Sequence, residues 1–328
     1  MRFINASAAL VGVSTLLALP AAFAAERVQV VTSFSILADM VENVGGEHVE
    51  VTSLVGPDSD AHVYSPRPTD ARTLADADLV VFNGLQFEGW MERLVDASDY
   101  AGPLVVTSDG IDRVAAAHDD HGHDEHDEHD SHEGHDHGDD DPHGWQDLAM
   151  GKLYVANIRD GLSEADPDNA EAYAANAERY INEIDATDAE IRALLTEIPA
   201  STSVITGHDS FGYFASAYGL RFLSPQGLST EADPSAANMA RLVDVIREQN
   251  VQALFHENMT SPAIINQLAE ETGLPIAGTL YADALAAEGE ASTYLGMMRH
   301  NARTLHDALA QPGHDDHDHD HHGHGHSH

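Results

Sequence analysis

The chain has 328 residues, no cysteine, and 56 acidic against 15 basic side chains, for a formal net charge of −41. Without cysteine there is no disulfide framework, no thiolate metal ligand and no lipid anchor on an N-terminal cysteine. The acidic excess argues against nucleic acid as a partner, and because the two histidine-rich tracts hold only 16 of the acids, the folded part is acidic too.

Residues 1–24 read as a secretory signal peptide. Arg2 supplies the positive start, 8–19 the apolar core, and Ala22-Phe23-Ala24 a small-residue cleavage site. The apolar stretch is short for a membrane span and no second one follows. The mature chain is therefore expected to begin at Ala25 and to be a soluble, exported periplasmic protein, not lipid-anchored. Its length, about 300 residues, exceeds one usual core and points to two domains.

Short β-branched runs then alternate with helical patterns, as in βαβ units with parallel sheets. The first series has strands at 28–31, 49–54, 79–82 and 104–107, with helices near 35–44, 68–75 and 88–97. Residues 166–197 carry good helix formers and apolar side chains at helical spacing: Tyr173, Ala177, Tyr180, Ile184, Ile191, Leu194 and Leu195. They predict one long helix, started by Asp166-Pro167 and stopped by Pro199. The second series has strands at 203–206, 221–223, 253–256 and 275–278, helices near 211–218, 235–249 and 262–272, and a final helix at 292–309. The expected fold is α/β, with two Rossmann-like lobes (25–160 and 200–311) joined by a long rigid backbone helix within 161–199. Such a connector limits how far the lobes can swing.

Sixteen of the 23 histidines fall at 118–137 and 314–328, interleaved with aspartate, glutamate and glycine. Imidazole suits zinc, copper and nickel, and neighbouring carboxylates add oxygen donors. Segments such as HDDHGHDEHDEHDSHEGHDHGDDD contain no apolar residue to offset the entropy of ordering. A loop at 118–141 and a tail at 312–328 are therefore expected to be disordered when metal-free and to bind Zn²⁺ weakly. The plain alternative is an acidic linker and a purification-tag-like terminus, but the tail repeats the mixed composition of the loop rather than a uniform histidine run.

Seven histidines remain: His48, His62, His143, His208, His256, His300 and His306. His62 (VGPDSDAHVYSPRP) and His208 (ITGHDSFGYF) follow strands, where open α/β sheets bind ligands. His143 lies in DPHGWQDL, and Asp283 in GTLYADAL follows a later strand. Gaps of 81, 65 and 75 residues exclude a local metal loop, so the fold must gather these four, two from each lobe, at the lobe interface. Three imidazoles and one carboxylate match tetrahedral zinc. His48, His300 and His306 read as surface residues. His256 with Glu257 stands near the cleft, and Trp145, Phe211 and Tyr213 are candidates to exclude water from the site.

The segments AHVYSPRPTDARTLADADLVVFNG, DPHGW, ITGHDSFGYFASAYGL and ASTYLGMMRHN resemble the periplasmic zinc-binding solute-binding proteins of the zinc/manganese ABC-transporter family, of the ZnuA and AztC type. The resemblance spans nearly the whole mature chain. It implies His62, His143, His208 and Asp283 as metal ligands, a long backbone helix, and a His-rich loop ahead of the second ligand. It also implies that a histidine at position 208, where manganese and iron carriers place glutamate, marks a zinc protein, although affinity alone would favour copper over zinc. The tail is not a general family feature, and zinc members differ in what fills the fourth position, so Asp60 and water stand beside Asp283.

The expected function is capture of Zn²⁺ and delivery to an ABC-transporter membrane permease, with a periplasmic zinc metallochaperone as a further partner and a monomeric state. Two alternatives differ in class. A periplasmic zinc buffer would have the tracts as its main function. A zinc hydrolase would keep an open water position that Asp283 would close.

Overall fold

The computed structural model describes residues 27–115, 140–249 and 251–310. The expected signal peptide at 1–24, nearly all of the loop at 118–141 and the tail at 312–328 lie outside the described residues.

The first lobe is built on a four-stranded, wholly parallel sheet. β1 (Val28–Phe34) lies between β2 (Val49–Val55) and β3 (Leu79–Phe82), and β4 (Leu104–Val106) lies beyond β3. Parallel neighbours need crossovers. Two are made by α1 (Ser35–Gly45) and α2 (Pro68–Ala75), and α3 (Met91–Ser98) connects β3 to β4.

Next comes α4 (Leu148–Ala165), a helix that the sequence reading does not predict. Its buried face is helical in period, with Leu148, Tyr154, Val155, Ile158 and Leu162 all inaccessible. Gly151 and Gly161 dilute its propensity. Both are demanded by close packing: a Cβ on Gly151 would stand 2.5 Å from the Tyr294 hydroxyl, and one on Gly161 would overlap Val105 Cγ2. The lobe boundary expected at residue 160 therefore falls inside a helix.

α5 (Ala170–Leu195) is the long connector. Its 26 residues span about 39 Å at the usual rise per residue. It starts later than expected because Pro167–Asn169 forms a 3-10 turn, and Asp166 accepts hydrogen bonds from the Tyr173 hydroxyl (2.6 Å) and Asn169 Nδ2 (2.7 Å). The predicted apolar stripe is buried through Tyr173, Ala177, Tyr180, Ile184, Ile191 and Leu195. Leu194 is only partly buried, and Thr187 completes the stripe.

The second lobe repeats the first. β5 (Ser203–Ile205) lies between β6 (Arg221–Leu223) and β7 (Ala253–Glu257), with β8 (Ile276–Leu280) beyond β7, again all parallel. α6 (Gly212–Tyr218), α7 (Ala236–Glu248) and α8 (Ala263–Thr272) connect these strands. The last helix, α9 (Tyr294–Leu309), bridges the lobes: it packs on α5, on α1 of the first lobe and on β8 of the second, where Asn301 exchanges hydrogen bonds with the Tyr281 backbone.

Strand alternation divides the second sheet between two cores. Val204, Ala253 and Phe255 join a continuous apolar cluster that runs through both lobes and α5, whereas Ile205 and Leu254 face Leu242, Ile246, Ile265 and Leu268 of α7 and α8. The shared core ties the lobes together and brings the carboxyl ends of both sheets to one interface. Among the described residues no helix is long and apolar enough to cross a membrane.

Candidate metal centre

His62 follows β2, His143 precedes α4, His208 follows β5 and Asp283 follows β8. The fold brings all four together, with one ligand atom from each inside a cluster no wider than 4.8 Å. Asp283 is the hub. Its oxygens stand 3.0 Å from His208 Nε2, 3.3 Å from His62 Nε2 and 3.6 Å from His143 Nε2. A tetrahedron with bonds of about 2.0–2.1 Å has edges of about 3.3–3.4 Å. The His62 and His208 contacts of Asp283 Oδ2 are near that length, His143 approaches the other oxygen, and a cluster up to 4.8 Å wide would draw in slightly around one ion.

The three Nε2 atoms and both Asp283 oxygens are buried and have no hydrogen-bond partner. An unsatisfied buried polar atom costs about 1–3 kcal/mol. Five such atoms pointing at one another form a donor set that a cation would complete.

Each of the four loops is held by its own local device. The His62 loop is fixed by His62 N–H donating to Asp60 Oδ1 (2.9 Å) and by Trp90 Nε1 donating to the Ala61 carbonyl (2.7 Å). Asp60 Oδ2 accepts from the Thr230 hydroxyl of the other lobe (2.6 Å), so Asp60 ties the lobes together and stands outside the four-residue cluster. Asp58 makes a second such tie, accepting from Asn258 Nδ2 (2.9 Å) and Ala287 N–H (3.1 Å). The Asp283 loop is held through the Ala282 carbonyl, which accepts from Trp145 Nε1 (2.9 Å) and Gln146 Nε2 (2.8 Å).

Two further carboxylates orient imidazoles. Asp141 Oδ1 lies 2.7 Å from His143 Nδ1 and also accepts the His143 N–H at 2.9 Å. Glu257 Oε2 lies 2.5 Å from His208 Nδ1, while its other oxygen accepts from the N–H groups of Gly207 (2.9 Å) and His208 (3.1 Å). Such partners fix the tautomer, leaving Nε2 free to face a metal. Asp141 corrects the expectation of a disordered loop through residue 141. It is 2% exposed, and its neighbour Asp140 bridges to Ala115 and pairs with Arg113 at 2.6 Å. In the sequence it is only the last of three aspartates ending the tract; its position two before His143 is the one signal of its role.

Of the pair His256 and Glu257, strand alternation turns only Glu257 inward; His256 Nε2 meets Asn266 Oδ1 at 3.0 Å. Trp145 packs against His143 at a centroid distance of 5.3 Å. The other ring on the site is Phe87, which sequence reasoning did not single out: it lies 4.6 Å from His62 and 5.8 Å from His143. Phe211 stacks on Phe222 instead, and the Tyr213 hydroxyl accepts from Val114 N–H. His48, His300 and His306 stand apart from the cluster, against Tyr173, the Thr279 carbonyl and Glu197 respectively.

Burial opposes charge on His208, but the carboxylates of Glu257 and Asp283 outweigh it and hold its pKa well above the ordinary histidine value. Burial also favours a neutral Asp283, yet the fields of His208 and His143 outweigh that and hold it well below the carboxylate range. The raised pKa of His208 adds stability to the metal-free protein that is full below the unfolded value, about 6.5, and is lost as pH rises through the folded value. The lowered pKa of Asp283 adds stability above about 3.9, lost as pH falls through its folded value. Metal-free protein at pH 7 is thus expected to hold a proton on His208, which an ion bound at Nε2 would displace. Loading at pH 7 is expected to release about one proton from this residue, read as the dependence of calorimetric heat on buffer ionisation enthalpy; binding without proton release contradicts this charge state.

The chain matches, over residues 30–308, the family described as zinc-uptake complex component A, periplasmic. The manganese-binding lipoprotein MntA of Halalkalibacterium halodurans is 33% identical over 288 residues, covering 87% of this chain and 90% of that protein. The iron-binding protein YfeA of Yersinia pestis is 30% identical over 289 residues, covering 88% of each. In structure the chain is similar to the periplasmic zinc-binding protein TroA from Treponema pallidum, with a TM-score of 0.78 and 28% identity over 87% of this chain and all of that one. With the sheet order, the buried cluster and these matches in agreement, the chain belongs to the zinc-uptake component A family, the metal-binding extracytoplasmic substrate-binding proteins of ABC transporters, and is not an enzyme.

Proposed function

We propose that this protein captures Zn²⁺ through His62, His143, His208 and Asp283 and delivers it to the membrane permease of a zinc-uptake ABC transporter. The observation that carries the reading is the convergence of three orphaned imidazole nitrogens on one orphaned carboxylate inside the lobe interface. A donor set with three nitrogens favours a borderline ion such as zinc over manganese, which prefers oxygen donors. The relatives named for manganese and iron set the competing reading. The tracts at 118–141 and 312–328 serve as weak collectors, raising the local zinc concentration by tethering. A zinc metallochaperone is a suitable donor to them. The absence of cysteine supports a free protein where the relative MntA is named a lipoprotein.

The test uses the exported chain and a variant lacking 116–139, each titrated with Zn²⁺ and Mn²⁺ against competing chelators. The deletion stops short of Asp140 and Asp141, because Asp141 supports His143. One tight zinc site is expected in both proteins, with manganese at least about tenfold weaker, as the nitrogen-rich donor set predicts, and with slower zinc capture by the deletion variant. Manganese binding as tight as zinc overturns the zinc assignment; unchanged capture kinetics remove the collecting role.

A further inference from the structure

The carboxylates that orient His143 and His208 are each seated against a glycine. Gly207 lies beside Glu257, where an added Cβ would stand 3.3 Å from the carboxylate and 3.0 Å from Thr260 Oγ1. The seat at Gly212 is tighter. A Cβ there would overlap Asp141 Oδ2 and lie 3.5 Å from Asp141 Cγ and 3.8 Å from Val114 Cγ1.

Gly212 opens α6 in the second lobe, while Asp141 belongs to the first, so this contact is made where the lobes meet. The backbone of Gly212 does not call for glycine: it is helical and has no positive φ. Backbone conformation therefore does not call for the missing side chain, whereas the approach to Asp141 does. Nor can Asp141 move freely. It is 2% exposed, its N–H donates to the Val114 carbonyl at 2.9 Å, and its Oδ1 holds both His143 N–H (2.9 Å) and His143 Nδ1 (2.7 Å). Turning the carboxylate aside to admit a Cβ breaks both bonds of Oδ1 and releases the imidazole.

We propose that Gly212 is a positioning residue for metal retention: by presenting no Cβ it lets α6 close onto the Asp141 carboxylate, which aims His143 Nε2 at the ion. The proposal rests on reading His143 as a metal ligand.

Zinc affinity is measured by chelator competition on the full chain and on Gly212→Ala, Asp141→Ala, the double variant and His143→Ala. Gly212→Ala and Asp141→Ala are each expected to lose about 10–100-fold, the usual range for a lost outer partner. The double variant should lose no more than Asp141→Ala alone, because removing the carboxylate makes room for the methyl. A Gly212→Ala affinity within about threefold of the parent overturns the proposal, as does a double-variant loss equal to the product of the two single losses, the signature of independent sites. If Gly212→Ala does not fold, the double variant decides: equality with Asp141→Ala supports the proposal and further loss overturns it. His143→Ala separates the failures. Weak binding there beside tight binding by Gly212→Ala defeats the proposal alone; parent-like binding by His143→Ala defeats the ligand reading and the proposal with it.

Discussion

Replacing His62, His143 and His208 together by alanine is expected to abolish the tight metal site while leaving weak binding by the tracts intact. Structural zinc sites are worth about 10–16 kcal/mol, whereas the variant keeps only the Asp283 carboxylate. A loss of more than about 10⁴-fold, or roughly 5.6 kcal/mol at 1.4 kcal/mol per decade, is therefore a modest expectation. The sixteen tract histidines make total zinc uptake a poor readout, because weak binding by them is expected to persist in the variant. What should vanish is the phase that competes with a strong chelator, together with the stabilisation a ligand confers, about 4.1 kcal/mol at a thousandfold excess over Kd. The triple variant also leaves Asp283 buried with no partner, and an uncompensated buried charge is destabilising in its own right. Adding Asp283→Asn removes that charge, so a fold lost in the triple variant and regained in the quadruple one is separated from loss of the site. Tight binding that survives in the folded variants would place the primary site in the tracts and refute the interlobe assignment.

The sheets were legible because buried parallel strands read as β-branched runs, and Val28–Phe34, Val49–Val55 and Leu79–Phe82 are of that kind. The four-residue cluster was legible for a different reason: once the tracts are set aside, few histidines remain, and those following strands stand where open sheets bind ligands. What stayed hidden depended on packing. α4 is masked by Gly151 and Gly161, whose cost in helix propensity is visible in sequence while the close approach of Tyr294 and Val105 is not. Asp141 carries the same letter as the tract residues before it, and only its hydrogen bonds to His143 separate it from them. Phe87 has no local signal at all; it reaches His62 from the loop after β3, which Glu88 pins by accepting from Asn83 N–H and the Ser33 hydroxyl. Asp60 offered a carboxylate beside His62, but its oxygens serve His62 N–H and Thr230 rather than the cluster.

Glu257→Gln is expected to weaken zinc binding by about 100-fold, the upper end of the range for outer partners, without unfolding the protein. The substitution keeps shape and volume, and a glutamine Oε1 can still accept from the N–H groups of Gly207 and His208, which now meet one oxygen of Glu257. The other oxygen becomes an NH₂ donor placed against His208 Nδ1, 2.5 Å away in the parent. Two donors cannot share that contact, so His208 is driven to the tautomer with Nδ1 unprotonated and the proton on Nε2. Nε2 is the atom that faces Asp283 at 3.0 Å, and a protonated ring nitrogen cannot ligate. The variant must therefore bind zinc with three ligands or turn the amide away and leave a buried donor unpaired. His256→Ala is the matched control on the same strand, since His256 meets Asn266 and not the site; it should stay within about twofold of the parent, as substitutions away from such features usually do. Chelator competition at fixed pH reads both. A Glu257→Gln protein that binds zinc as tightly as the parent would mean that His208 keeps its metal-facing tautomer without Glu257, and that the hydrogen bond between them is structural packing rather than control of the ligand.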